Sequence, residues 1–418
     1  MWLAFLAVYA LVLFAGLGLS FLNLRHQARA GHRVPPELDG VIEPERLRKI
    51  EAYTQERARF GMLERLVSGV AVALFLFFGP LAAYDRFVAG LGLSFVASGV
   101  VFVLGLMLLR DVLELPFSLY STFAIEARHG FNRTSPGLFF ADLVKSTLLS
   151  LVFAGGLGAL AFWVVTAAPH FWWLWVWAVF VAFSVLITFL APYVIEPLFF
   201  KMKPLQVAEL NHEVRELAER AGVHVGRVLE MDASRRSAHS NAYFTGFGRV
   251  KRVVLFDTLL SHMTRGEILA VLAHELGHWK KHHVLIRAVV SFGVSLLGLF
   301  VAFHALPAAF VPELVGLEQA SFPARVVVLA AIAPILTFPL TPLAAAWSRH
   351  DERSADRFAV DLSGRAGELA DALAKLSREN LSNLHPHPLY AKFYYSHPPV
   401  TERIRTLRGM AVSAAGPA

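Results

Sequence analysis

The sequence predicts a mainly α polytopic membrane protein with seven transmembrane helices and a cytoplasmic domain carrying a small β-sheet. Of 418 residues, 56% are hydrophobic and 17% charged, with a mean hydropathy of +0.53; a soluble fold does not hide that much apolar surface. Apolar runs long enough to cross ~30 Å of hydrocarbon, about 20 residues each, recur at 2–23, 66–85, 88–109, 143–168, 172–194, 285–311 and 323–347. Between and after them lie polar stretches with helix-like and strand-like periodicity. The net charge of +7 and pI of 9.7 do not point to nucleic acid, because Lys and Arg fall in loops beside the apolar blocks and form no aromatic-interleaved basic face. They orient the chain in a bilayer instead. There is no cysteine, which excludes disulfides and thiolate metal ligands.

The first apolar run has no basic segment before it and no small-residue cleavage site, so it reads as a retained span and not a leader. The loop after it holds Arg25, Arg29, Arg33, Arg46, Arg48, Lys49, Arg57, Arg59 and Arg65, whereas "AYDRF" (83–87) and "AAPHF" (167–171) on the other side are nearly bare. Short cytoplasmic loops carry the excess of Lys and Arg, which puts the N-terminus outside. Counting crossings, 198–284 and 348–418 share the cytoplasmic side. The expected organisation is an N-terminal membrane domain with five helices and cytoplasmic loops (1–197), a first part of the cytoplasmic domain (198–284), helices six and seven (285–347), and a second part with the C-terminal tail (348–418).

From Pro204 to about Ala221, apolar residues at helical spacing run to Gly222, a stop signal. The segments "VHVGRVLEMD" (223–232), "NAYFTGFG" (241–248) and "KRVVLF" (251–256) are β-branched or aromatic and separated by turn residues, which predicts a small sheet. Thr264 and Glu267 form a capping box, so a helix begins near Arg265. The tail "AVSAAGPA" (411–418) is expected to be disordered.

That helix carries "LAHELGHWKKHH" (272–283). Residues four apart on a helix lie one above the other, so His274 and His278 turn toward one ion, and Glu275 beside them reaches a water on it. A solvated basic helix end accounts for Lys280, Lys281, His282 and His283, but not for Glu275 flanked by Leu272, Ala273 and Leu276. His282 is no ligand, because at ~1.5 Å rise per residue it stands ~12 Å from His274 while zinc–nitrogen bonds are ~2 Å. A catalytic zinc takes three protein ligands and leaves one position open. A metzincin third histidine is absent, since position 284 is Val284; no acid lies in "SLLGLFVAF" (295–303), where a thermolysin-like glutamate belongs; and Glu313 and Glu318 are on the opposite membrane face. The first acids on the correct side are Asp351, Glu352 and Asp356 in "WSRHDERSADRFA". Glu352 and Asp356 share a helical face beside the small Ala355, so one can bind the ion while the other takes a histidine N–H; Asp351 points off that face.

With these residues in place, the chain resembles the Ste24-type CAAX prenyl proteases, integral-membrane zinc metalloproteases of the HtpX-related clan. The matching stretches are "FAIEARHGFN" (123–132), "RRSAHSNAYFTGFG" (235–248), "RVVLFDTLL" (252–260), "LAHELGHW" (272–279), "SRHDERSADRFA" (348–359) and "LYAKFYYSHPPVTERI" (389–404), so the likeness covers nearly the whole chain. HtpX-like proteins are shorter with fewer spans, and seven apolar blocks favour the Ste24-type branch. The resemblance implies a cytoplasmic zinc-metalloprotease domain holding one Zn2+ on His274, His278 and Glu352, with Glu275 as general base and Asp356 supporting a ligand histidine. It implies further that Asn241, Ala242 and Tyr243 form an edge strand pairing with the substrate backbone, that His397 and Arg403 line the cleft, and that the spans enclose a large chamber.

The chemistry agrees with these types of residue. Zinc polarises the scissile carbonyl and lowers the pKa of water, so Glu275 has one proton to take and pass to the leaving amine. His397 is a candidate oxyanion donor, held extended by the two prolines that follow it. For Glu126, Arg128 and His129, lining a chamber and forming an ion-paired loop both fit; Asp142 and Lys145, three apart on one face, most simply pair or snorkel. His385 and His387 lack a nearby acid and make no second metal site. A transporter should carry ionisable groups at mid-membrane, which these blocks lack away from their ends, and an inert scaffold has no use for Glu275 between two histidines. The expected function is hydrolysis of membrane-associated peptides or proteins, lipidated CAAX-type substrates among them, at the cytoplasmic side; the alternative is an HtpX-like quality-control protease with no prenyl requirement. Without eukaryotic sorting tails, the expected location is the bacterial inner membrane.

Overall fold

The structure is a computed structural model that describes residues 1–246 and 250–415. It is mainly helical, and among the described residues seven helical stretches are long and apolar enough to span a bilayer: Trp2–Ala30, Pro44–Phe77, Phe95–Glu126, Pro136–Ala167, Trp172–Phe199, His283–Ala305 and Phe322–Ser363. In chain order, the helices before the sheet are α1 (Trp2–Ala30), α2 (Pro44–Phe77), α3 (Pro80–Gly90), α4 (Phe95–Tyr120), α5 (Pro136–Ala167), α6 (Trp172–Leu190) and the short α7 (Glu196–Phe199). Two π-helical turns, Ser121–Glu126 and Ala191–Ile195, end α4 and α6.

Two boundaries differ from the hydropathy reading. The second span ends at Phe77, not 85, because Gly79 takes a left-handed φ of 108° and Pro80 opens a separate helix, α3. The third span accordingly starts at Phe95, where the Ser94 hydroxyl accepts from the Ala97 N–H. The basic stretch expected as a loop after the first span is largely helix as well, since α2 begins at Pro44 and runs as one piece into the membrane.

The remaining elements are β1 (Met202–Pro204), α8 (Ala208–Arg220), β2 (His224–Met231), β3 (Ala242–Thr245), β4 (Val250–Phe256), α9 (Asp257–His262), α10 (Arg265–Lys280), α11 (His283–Ala305), α12 (Phe310–Glu313), α13 (Phe322–Thr337), α14 (Thr341–Ser363), α15 (Ala366–Glu379), α16 (Pro388–Tyr394) and α17 (Val400–Ala415). The sheet has the order β1-β2-β4-β3, with β2 and β4 parallel and the outer pairs antiparallel. β1 carries no sequence signal: it is three residues ending in a proline, held at the edge by β2. β3 is the opposite edge; of its expected range, 247 and 248 lie outside the described residues. The tail expected to be disordered continues α17 through Ala415, and 416–418 lie outside the described residues.

The capping box is formed as expected, with Thr264 accepting from the Glu267 N–H and the Glu267 carboxylate accepting from the Thr264 N–H. The largest core lies on this side of the molecule. It joins Val225, Val228, Val253 and Leu255 of the sheet to Leu272 and Leu276 of α10, Leu369 of α15 and Ile404 of α17, and it takes in Leu47, Ile50 and Tyr53 of α2. At the other end of the spans, Leu76, Phe77, Leu81, Phe102, Val311 and Val328 form a smaller cluster.

Helix α14 continues the last span, through Phe338–Leu340, out of the membrane and crosses α10 closely. A Cβ placed on Gly277 would lie 3.0 Å from the Ala355 Cα and 3.1 Å from its carbonyl oxygen; these atoms are backbone and have no rotamer in which to retreat. Gly277→Ala is expected to destabilise the cytoplasmic domain by about 1–3 kcal/mol, the usual cost of overpacking, and to lower zinc occupancy, read by the melting temperature in detergent and metal content by atomic absorption.

Candidate metal centre

Helix α10 places His274 and His278 on one face, and α14 lays Glu352 across them. Each residue offers a ligand atom, and the three atoms lie within 4.8 Å of one another. His278 Nε2 is 3.2 Å from His274 Nε2 and 3.2 Å from Glu352 Oε1, and His274 Nε2 is 3.4 Å from Glu352 Oε2. The far ring nitrogens are bonded outward. His274 Nδ1 is 2.8 Å from Asp356 Oδ1, and His278 Nδ1 is 3.1 Å from His283 Nδ1. Such outward bonds fix the rings of metal-binding histidines and leave the inner nitrogens free.

The donor set fits a divalent cation. Glu352 is 4% exposed, and its Oε2 is buried without a hydrogen-bond partner; an orphaned carboxylate oxygen facing two imidazole nitrogens is costly unless a cation lies between them. Two nitrogens, one carboxylate and no sulfur suit Zn2+. The surroundings favour positive charge: burial opposes ionisation of His274, yet its bonds to Asp356 and Glu352 prevail and push the imidazole up to about 9.

Behind the cluster, Arg403 of α17 donates from Nε to Asp356 Oδ2 (2.9 Å) and from Nη2 to Asp356 Oδ1 (2.6 Å). A planar fork of this kind holds a carboxylate in one orientation, and here the same carboxylate holds His274. His397 stands at the open side, with Nε2 3.3 Å from Glu352 Oε1 and Nδ1 2.8 Å from the Ser396 hydroxyl. Burial lowers its basicity. Glu275 sits next to the pair of histidines, makes no hydrogen bond among the described residues, and is pushed up by burial above the usual carboxylate range.

Asn241, Ala242 and Tyr243 lie at the start of the edge strand β3. The Asn241 carbonyl accepts from the Phe256 N–H and its side-chain oxygen from the Ala242 N–H (2.8 Å), while Ala242 and Tyr243 pair with Leu255 and Val254 on the inner side. Asp351 is turned away, gripped by Arg287 at 2.7 Å. Sequence reasoning missed His283, Arg287 and Gly277. His283 looked like one of several basic residues at a helix end, but His282 takes a left-handed φ of 57° that breaks the helix and swings His283 back against His278. Of the residues left with two readings, Glu126 bonds Tyr53 and Arg57, and both Arg128 and His129 pair with Glu56, which is the ion-paired loop. Asp142 pairs with Lys145 and, more closely, with Arg236.

Comparison with known proteins agrees with this geometry. Residues 23–201 match the CAAX prenyl protease N-terminal family, described by its five membrane helices, and residues 204–411 match peptidase family M48. The CAAX prenyl protease 1 homolog of Arabidopsis thaliana is 35% identical over 393 residues, covering 90% of both chains. The chain belongs to the Ste24-type CAAX prenyl proteases of family M48. The human CAAX prenyl protease 1 homolog is 32% identical over 90% of this chain and 89% of its own. The crystal structure of S. mikatae Ste24p superposes with a TM-score of 0.87 at 29% identity, covering 96% of this chain and 98% of that one. The protein is thus a membrane-embedded zinc metalloendopeptidase with a single zinc site at His274, His278 and Glu352.

One expectation is overturned. Eight strong relatives come from plants, fungi and animals, which points to a eukaryotic membrane such as the endoplasmic reticulum and not to a bacterial inner membrane. The expectation rested on a missing sorting tail, and an absent segment does not identify a compartment.

Removing the third donor and removing the neighbouring acid should separate cleanly. Glu352→Ala is expected to purify with less than about a tenth of the zinc of the native protein, because two imidazoles alone leave the site one ligand short. Glu275→Ala is expected to keep about one zinc per chain and lose turnover. Metal analysis beside a peptidase assay checks both.

Proposed function

We propose that Glu275 is the general base, His397 the oxyanion donor, and Asp356 with Arg403 the pair that orients His274. The observation that carries this reading is the position of Glu275 and His397 beside one three-donor cluster, the first hydrogen-bonded to no described residue and the second at its open side. Bound zinc supplies Lewis acidity, polarising the scissile carbonyl and easing deprotonation of water. Glu275 takes that proton and returns it to the leaving amine. The His397 N–H donates to the oxyanion as it develops, which is worth most in a site that excludes water. The outer edge of β3 pairs with the substrate backbone in extended form, so Asn241, Ala242 and Tyr243 set its register by main-chain hydrogen bonds. Residues 198–284 and 348–418 act as one catalytic unit on the cytoplasmic side.

The substrate we propose is a peptide bearing a lipid group. The similar proteins are described as CAAX prenyl proteases, and the span architecture supports the same for this chain. Buried clusters sit at the cytoplasmic end and the opposite end of the spans, while no residue in the apolar windows of Trp172–Phe199 and His283–Ala305 is buried. Apolar side chains exposed along these spans offer the surface that a lipid chain on the substrate would contact.

A farnesylated peptide and its unmodified twin, assayed on the purified protein, test the proposal. The expected kcat/KM ratio is about ten-fold or more in favour of the farnesylated peptide, since each buried methylene adds up to ~0.8 kcal/mol. Equal values would reassign the protein to general membrane-protein degradation. Arg403→Lys is expected to lower kcat by at least about ten-fold, the loss typical of an altered outer partner of a metal ligand, while KM for the peptide stays within about two-fold.

A further inference from the structure

A cavity of about 560 Å3 lies apart from the metal centre, where α16 packs against α1 and α14. Four cationic side chains line it, Arg349, Arg353, Lys392 and Arg405, against one carboxylate, Glu402, with His26 on the α1 side. Arg353 pairs with Glu402 at 3.0 Å, and Arg405 pairs with Glu37 outside the lining at 2.7 Å. Arg349 is used only through Nη1, which donates to the carbonyls of Ala391, Lys392 and Tyr395. Among the described residues Lys392 forms no ion pair. The cavity therefore holds more positive charge than its own carboxylate neutralises.

Its level in the fold says what anion belongs there. On α14, exposed Leu343 and Ala346 precede Arg349 and Arg353 on one face; on α16, exposed Leu389 precedes Lys392; on α1, exposed Phe21 and Leu22 precede His26. Each of the three thus carries exposed apolar residues within about a turn of a basic or imidazole side chain that lines the cavity, and an edge-to-face contact of the His26 and His387 rings, 5.3 Å between centroids, ties α1 to the entry of α16. The lining includes His26, near the end of the first span, and Ala346, Arg349 and Arg353, at and just past the end of the last apolar run, and the ends of spans are the level of phospholipid headgroups.

We infer that this cavity binds the phosphate of an anionic phospholipid headgroup. The far wall, Pro399, Thr401 and Glu402, belongs to the segment that carries His397 and Arg403, so a bound headgroup also steadies the open side of the metal centre.

The test is native mass spectrometry of the zinc-loaded full chain taken from nanodiscs of mixed phosphatidylserine and phosphatidylcholine. Preferential retention of about one phosphatidylserine per chain is expected, falling about five-fold in Lys392→Gln, the effect of one basic group near an anionic headgroup, and recovering in Lys392→Arg. Zinc content and hydrolysis in pure phosphatidylcholine are expected to stay unchanged in both variants. No preference in the native protein, which requires no variant, overturns the inference, and so does equal retention by Lys392→Gln. Displacement of the lipid by excess inorganic phosphate assigns the site to a soluble anion and overturns the lipid source.

Discussion

Everything in the cytoplasmic half of this protein is arranged around one contact: the Glu352 carboxylate laid across the inner nitrogens of His274 and His278. Three polar side chains that are at least four-fifths buried, with Asp356 and Arg403 immediately behind them, form an arrangement that a protein interior resists unless charges are matched. Asp356 is matched by Arg403 and His274. Glu352 is matched only in part, and the cation supplies the remainder. The close crossing of α10 and α14 at Gly277 and Ala355 brings the carboxylate into reach, so packing and metal binding are two aspects of one constraint.

The edge strand must be placed as firmly as the metal, and its supports come from the membrane side. Arg252 of β4 donates to the carbonyl of Pro192 in the π-helical turn that ends α6, and its guanidinium lies 4.8 Å from the centre of the Tyr193 ring. Arg236 pairs with Asp142 at the start of α5. His239 stacks on Phe131 at 4.0 Å and lies 3.6 Å from Glu126, which also accepts from Tyr53. Both π-helical turns occur where these ties are made. A π-turn frees carbonyls from the regular ladder, and in the second turn the Pro192 carbonyl accepts from Arg252. The segment leading into β3 is thereby registered against the spans and not only against its own sheet.

Much of this was legible in the sequence, for identifiable reasons. Hydropathy marks seven spans because a lipid-exposed helix has no choice of composition, and the i, i+4 spacing of His274 with His278 and of Glu352 with Asp356 survives because both pairs lie on uninterrupted helices. What could not be read depends on chain geometry between elements. His283 follows a left-handed residue, so no helical spacing connects it to His278. Arg403 is 47 residues from Asp356, and nothing local in "VTERI" marks it as the partner; only the resemblance to a known family named it. β1 exists because β2 offers an edge, and the break at Gly79 requires a positive φ that hydropathy does not sense.

The third ligand comes from a helical stretch, Phe322–Ser363, that is 42 residues long and belongs to both halves of the molecule. With one end in lipid and the other at the metal, it fixes the distance between the bilayer and Glu352. At a rise of 1.5 Å per residue, the five positions from Trp347, where the apolar run ends, to Glu352 span roughly 8 Å along the helix axis. The metal centre is therefore held at the membrane surface, and a peptide reaches it most readily when something anchors that peptide to the same surface. A freely diffusing substrate has to pay the full entropy of association at each encounter, whereas a membrane-bound one has already lost most of it. A preference for membrane-associated substrates, as proposed above, would thus follow from this helical stretch as much as from any pocket that recognises them.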